Sequence, residues 1–319
     1  IQTLNNEIEA ALLYEDFDKA QISYNQIEEL INKLPQNSRD RIEKIEKLKE
    51  MNLALGNRVW LRQDLGLGKN IVTEIQQKLA DKPKVFTTYK NTSFSIAGGQ
   101  NIITGSGDNF SKITSTLVTV ATNINDNSGL FVSKDNAYRC DEKSCINLGW
   151  QKPENISDLV AVGVYSNRVY MLDKNSKAIF RFNISGNNLT SARQWNKNND
   201  GLDQVNSFYV DTAIHLAKGK NIEQWSSGVK NNESVIQISP ETINLEQIIG
   251  GEKYKYTWLL DKNNKRVIVI NKSTNKVVQQ LTSDVFSQAI SIAIDEAKRI
   301  VYVLTDNNIV ELSYKQFTK

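Results

Sequence analysis

The chain has 319 residues, enough for a large core and more than one domain. Its 39 basic and 36 acidic side chains leave a net charge of only +3, which gives no electrostatic handle on nucleic acid or an anionic membrane surface. It contains no run of 18 or more apolar residues, so nothing in this sequence reads as a membrane-spanning helix.

Residues 1–80 are predicted to be helical. Apolar positions Ile8, Ala11 and Leu12, then Phe17, Ala20, Ile22, Tyr24, Ile27, Leu30, Ile31 and Leu34, recur at three- and four-residue steps. Pro35 to Ser38 break the pattern, and Ser38 is a good N-cap for a helix over about 39–55. That helix carries Ile42, Ile45, Leu48 and Leu55 on one face; its charges read as a solvated surface. Gly56, Gly66 and Gly68 punctuate a looser connection, a short helical pattern follows at about 70–79, and Pro83 marks the boundary. The stretch AALLYEDFDKAQISYNQIEELINKLP resembles one tetratricopeptide helix-turn-helix unit, with Tyr14, Asp16, Phe17 and Ala20 at its turn and small-residue positions. One such unit cannot bury its own apolar face.

From about residue 84 the composition shifts to Val, Ile, Thr, Tyr and Phe, with Asn-, Gly-, Ser- and Asp-rich turns every 8–12 residues. Four segments share an apolar signature: VYMLD at 169–173, IHLAK at 214–218, TWLLD at 257–261 and VYVLT at 301–305, at steps of 45, 43 and 44. DKNSKAIFRFN and DKNNKRVIVIN repeat at an offset of 88. A strand-rich repeat of this length predicts β-propeller blades. The signature strands are apolar throughout rather than alternating, as expected for sheets covered on both faces. We take them as the inner strands of their blades, near 129–133, 169–173, 214–218, 256–261 and 300–305. The fold class is therefore mainly β with an N-terminal α segment: a helical hairpin or three-helix region over 1–80 and a β-propeller over 84–319. Six blades with a degenerate first blade is the preferred count, and five the alternative. The last copy stops one strand short, and VFTTY at 85–89 is the expected closing strand. Asn in turns such as 262–265 is expected to supply positive φ.

VYMLDKNSKAIFRFN and TWLLDKNNKRVIVINKSTNKVVQQL resemble the repeats of NHL- and YVTN-type bacterial propellers. SIAIDEAKRIVYVLTDNNIVELSY is similar to the closing blade of membrane-anchored propeller proteins of candidate-phylum bacteria. This resemblance implies a helical segment leading from a membrane anchor upstream of Ile1 into the propeller. It brings no functional residues with it.

Few residues suggest chemistry. Cys140 and Cys145 sit at the predicted tip of a hairpin, where a disulfide would imply an oxidising, extracytoplasmic location; reduced thiols are the alternative. His215, the single histidine, lies in an apolar strand and reads as structural, with no carboxylate partner evident. Asn196 to Gly201 approximates a calcium loop, but Ser207 stands where a bidentate Glu is needed, so an Asn-rich turn is expected. Ser133 to Ala137 is near an Asp-box turn, and the glycines at 98–107 read as tight turns. Trp150, Trp195 and Trp225 are the candidate binding residues, near connections between blades; inter-blade packing is their other reading. No metal and no cofactor is expected. The resulting expectation is a non-enzymatic, extracytoplasmic, membrane-anchored module, its propeller recognising a protein or surface glycan and its helices forming a stalk. The alternatives are a propeller hydrolase or lyase with a metal at the central channel, and a cytosolic scaffold.

Overall fold

A computed structural model describes residues 2–13, 17–36, 38–54, 62–89, 93–105, 109–112, 118–125, 127–198, 201–236, 238, 242 and 244–317. Helices α1 (Gln2–Leu13) and α2 (Phe17–Asn32) pack together because Ala20, Tyr24, Ile27 and Ile31 form a buried stripe at four- and three-residue steps on α2, facing Ile8. Ser38 caps α3 (Arg39–Ala54), its hydroxyl accepting from the Arg41 amide at 3.2 Å. Ile42, expected on the apolar face of α3, is exposed, whereas Ile45 packs onto the cluster of α1 and α2. Tyr14 and Asp16, two residues of the tetratricopeptide resemblance, lie outside the described residues. No described helix is long and apolar enough to cross a membrane.

The rest is a ring of six blades, each built on antiparallel strands; the outer strands of the second and third blades also pair in parallel, Gly149 with Asn188, joining those two into one eight-stranded sheet. Blade I is β3 (Val85–Tyr89), β4 (Ser93–Gly98), β5 (Asn101–Gly105) and β6 (Asn109–Lys112). Blade II is β7 (Val118–Asn125), β8 (Ser128–Ser133), β9 (Ala137–Cys140) and β10 (Cys145–Trp150); blade III is β11 (Leu159–Tyr165), β12 (Arg168–Asp173), β13 (Ala178–Ser185) and β14 (Asn188–Gln194). Blade IV runs through β15 (Val205–Val210), β16 (Ile214–Lys218), β17 (Asn221–Ser226) and β18 (Val229–Val235). Blade V comprises β19 (Gln247–Ile249), β20 (Tyr256–Asp261), β21 (Arg266–Asn271) and β22 (Lys276–Thr282), and blade VI β23 (Ser291–Asp295), β24 (Ile300–Leu304) and β25 (Ile309–Ser313). The first strands of successive blades touch in turn, and β23 returns to β3, so the ring closes around a central channel.

The signature strands β8, β12, β16, β20 and β24 are the second strand of each blade, not the innermost. They are the most apolar because sheet neighbours flank them and adjacent blades cover both faces; β24 is buried at every residue. The true innermost strands have one side on the channel and are less uniformly buried; Ser291–Asp295 alternates between half-buried and buried residues.

Closure also differs from expectation. VFTTY is the innermost strand of blade I, itself complete with four strands, so it has no edge to lend. The missing outer strand of blade VI is β2 (Lys69–Val72), antiparallel to β25 with Lys69 opposite Glu311. A further strand, β1 (Arg62–Asp64), lies parallel to β22 on blade V. The 62–72 stretch, expected as a connection within the helical region, thus belongs to two blades. Gly68 makes the approach feasible: its φ is +64°, and a Cβ there would sit 2.5 Å from the Glu311 carbonyl. Of the helical pattern expected over 70–79, only α4 (Ile75–Leu79) forms, with Ile75 and Leu79 buried.

The repeated D-K-N-x-K segments close the hairpin between the second and third strands. Asp173 accepts from the Ser176 amide at 2.8 Å, and Asp261 from the Asn264 amide at 3.2 Å. The left-handed residue is the lysine at the end of each turn, Lys177 (φ 51°) and Lys265 (φ 50°), rather than the asparagines. The asparagine instead spends its side chain on the aspartate: Asn264 Nδ2 donates to Asp261 at 2.9 Å.

Candidate functional site

The channel is a cavity of about 390 Å³ lined by the six innermost strands. Much of its polar lining clasps one blade to the next. The Gln247 side chain reads the backbone of blade VI like a strand: Oε1 accepts from the Ile292 amide at 2.8 Å and Nε2 donates to its carbonyl at 3.1 Å. Ser207 accepts from the Ile248 amide at 3.2 Å, and Asn206 donates to Asn244 at 3.0 Å. These contacts tie blades IV, V and VI together through polar groups that are thereby hydrogen-bonded.

One mouth of the channel is asymmetric. Five of the six connections after an innermost strand are two to four residues long; the sixth, 250–255 after β19, is longer. Gly250 packs against the Tyr209 ring, where a Cβ would meet ring carbons at 2.5 Å. This lets the chain turn outward and present Glu252 and Lys253, both exposed, beside the half-buried Tyr254. Across the mouth, Tyr165 of blade III donates its hydroxyl to Glu252 at 3.1 Å. That hydrogen bond and the carboxylate's charge push the Tyr165 phenol above its ordinary value. From the far side, Glu296 anchors the loop, accepting from the Lys255 amide at 2.8 Å and from the Trp258 indole at 2.8 Å. At the level of the strand starts, Glu246 lines the channel and burial pushes its carboxyl up, partly offset by the Lys262 amide.

The candidate tryptophans are not brought together. Trp225 is 1% exposed and gives its indole N–H to Glu223 at 2.9 Å, so it has no face for a partner. Trp195 meets Tyr170 edge-on at 5.8 Å, and Trp150 meets Phe182 edge-on at 6.0 Å. Their positions near blade junctions put them into hydrophobic clusters shared by neighbouring blades, II with III and III with IV. Cys140 and Cys145 are register partners at the end of the β9–β10 hairpin and are joined by a disulfide.

The other motifs have structural partners. Asn196 is buried, accepting from the Ile179 amide at 2.7 Å and donating to the Asn198 carbonyl at 2.7 Å; residues 199 and 200 of that loop lie outside the described residues. Ser133 closes its own turn on the Asn136 amide at 2.9 Å, and Gly99 (φ 56°) turns the β4–β5 hairpin; 106–108 lie outside the described residues. His215 does have a carboxylate: its Nε2 lies 3.1 Å from Asp211, four residues earlier across the β15–β16 turn. Lys272 of blade V donates to the other Asp211 oxygen at 2.8 Å. Burial opposes ionisation of Asp211, but the hydrogen bonds from His215 and Lys272 prevail and hold it well below the usual carboxylate range. Sequence spacing did not flag this cluster because Lys272 arrives from the next blade. Among the described residues, no group of three or more His, Cys, Asp or Glu is placed to hold a metal ion.

No protein-family model matches this chain, and no curated protein matches it. Solved structures with a similar fold include virginiamycin B lyase from Staphylococcus aureus, at TM-score 0.51 and 13% identity over 72% of this chain and 80% of that one. Another is the extracellular domain of a protein described as a hybrid two-component system from B. thetaiotaomicron, at TM-score 0.51 and 10% identity. That match covers 79% of this chain but 40% of the other. At such identities the likeness establishes the fold alone. The chain is mainly β, with a few N-terminal helices and the propeller fold of these bacterial proteins.

Proposed function

We propose that this chain is an extracytoplasmic binding module whose propeller recognises a protein or surface glycan at the channel mouth formed by Tyr165 and the 250–255 loop. The observation that carries this reading is that loop: the longest connection after an innermost strand, with exposed charges of both signs and an aromatic ring over a 390 Å³ cavity. Concave sites with a few convergent polar groups are the usual place for recognition. The disulfide supports the location, since such bonds persist in oxidising compartments. A lyase reading has one support, the fold shared with an enzyme of that class, and at 13% identity it carries no residue roles.

The test is a screen of a glycan array and a displayed peptide library against the wild type and a Glu252→Ala/Tyr254→Ala double variant. Binding by the wild type that falls roughly tenfold in the double variant, the worth of one or two hydrogen bonds, is expected. Equal binding by both proteins would place recognition elsewhere.

A further inference from the structure

In three blades the second strand carries an aromatic ring at one repeating position, Tyr170 in blade III, Trp258 in blade V and Tyr302 in blade VI, where blade II has Leu130. Each ring is buried and packs into a hydrophobic cluster shared with the following blade. In blade IV that position is His215. Its ring stacks back on Tyr209 of its own blade, at 4.5 Å and 11°, and its side chain stays 19% exposed. The space that a larger ring fills elsewhere is here a cleft of about 170 Å³ between blades IV and V. That is smaller than the roughly 300–1,000 Å³ of a pocket for a whole drug-sized ligand, and suits a single ring.

The wall of this cleft is a register row. Tyr209 pairs with His215, His215 with Gln224, and Gln224 with Asn232, so four polar side chains from four strands lie side by side on one face of blade IV. Most of the interface between blades IV and V is apolar, as in the other clusters; the cleft adds amides and an imidazole to Ile222 and Ile270. Most of the surrounding groups are already committed. The Tyr209 hydroxyl is bonded to Thr257 at 3.0 Å, Lys272 is held by Asp211 and the Gly251 carbonyl, His215 Nε2 by Asp211, Asn232 Oδ1 accepts from the Glu233 amide at 2.9 Å, and Asn275 bridges to Ser234 at 2.8 Å on the rim. The Gln224 amide has no hydrogen-bond partner among the described residues, yet it faces the cleft. Asp211 neutralises Lys272, so that ammonium is not left as a free cation for a ligand.

The geometry points to a subsite for one neutral, hydroxyl-rich ring, a monosaccharide unit, held against the Gln224 amide and the Asn232 and His215 side chains. A hydroxyl both donates and accepts, which matches the Gln224 amide, with one acceptor oxygen and one donor nitrogen, and the Asn232 amide nitrogen beside it. A carboxylate or phosphate ligand would find Lys272, the lysine on the cleft, already spent on Asp211. The cleft is separate from the channel mouth and goes beyond the reading given for it.

Saturation-transfer NMR on the whole chain tests this, using glucose, galactose, mannose and N-acetylglucosamine, with acetate, inorganic phosphate and N-acetylglycinamide as contrasts. At least one sugar is expected to bind saturably, and Gln224→Leu and Asn232→Ala each to weaken it by roughly tenfold, the worth of one or two hydrogen bonds. His215→Tyr, which restores the ring found in blades III and VI, is expected to fill the cleft and abolish binding with the melting temperature kept or raised. If that variant fails to fold, the exposed Asn232→Ala decides. No saturable sugar, preferential binding of the anions or of the peptide amide, or sugar binding lost in Glu252→Ala but intact in Gln224→Leu would overturn the assignment.

Discussion

Asp261 and Arg266 face each other across the β20–β21 turn, both 1% exposed or less, with the guanidinium 2.8 Å from the carboxylate. Thr242 and Gln280 satisfy the rest of the network: Thr242 donates to Asp261 at 2.9 Å, and Arg266 donates to Gln280 at 2.7 Å. Burial lowers the Arg266 pKa, and the Asp261 charge and hydrogen bond work against that shift. Blade III has the same turn with Ala178 in place of the arginine, so the pair is a device of blade V and not of the repeat. Breaking a buried pair leaves an uncompensated charge, and Arg266→Ala should cost about 3–5 kcal/mol. Urea denaturation is the check, and Asp261→Leu combined with Arg266→Met should recover only part of the loss, because Thr242, Gln280 and the Asn264 amide lose their partners. Asp211 yields a pH prediction. Its pKa is lowered in the folded state, so its contribution is complete above the unfolded carboxylate value of about 3.9 and is lost as pH falls below that toward the folded value. Asp211→Asn should therefore flatten the loss of stability between about pH 4 and pH 2, measured by acid titration of circular dichroism.

At the scale of elements, the outer strands taken from residues 62–72 decide whether β22 and β25 are covered strands or the edges of blades V and VI. β1 covers β22 and β2 covers β25; without them both blades would present unpaired backbone to solvent. Deleting residues 62–72 should speed amide exchange in Ile309–Ser313 and Lys276–Thr282 well before it does so in Arg168–Asp173, and hydrogen-exchange mass spectrometry resolves the order. The reason this stretch was not legible is physical. β2 is four residues long, of which only Val72 is buried, and its partner is more than 200 residues away. A short strand with one inward side chain has no period to read. The 44-residue repeat, in contrast, was legible because second strands are apolar on both faces, yet that same apolarity led to their reading as innermost. The His215 row was hidden for another reason: Tyr209, Gln224 and Asn232 meet it only through strand register.

For the whole molecule, a closed ring converts the polar lining of the channel into a set of clasps and leaves the two ends of the channel as its open surfaces. The loop at 250–255 makes one of those ends distinctive, and the substitution of histidine for a larger aromatic residue opens a second recess between blades IV and V. Both proposals depend on the ring being closed as described, since a slipped closure would shift blade VI and the Gln247 clasp that positions β19 and the loop after it. Paired cysteines test this most directly. In a Lys69→Cys/Glu311→Cys variant, non-reducing peptide mapping should find those two residues joined in folded protein, because they are register partners of β2 and β25. A chain that stays uncrosslinked there, while a cysteine at Thr88 pairs with one at 311, would show that VFTTY closes the ring and that the account given for its closure is wrong.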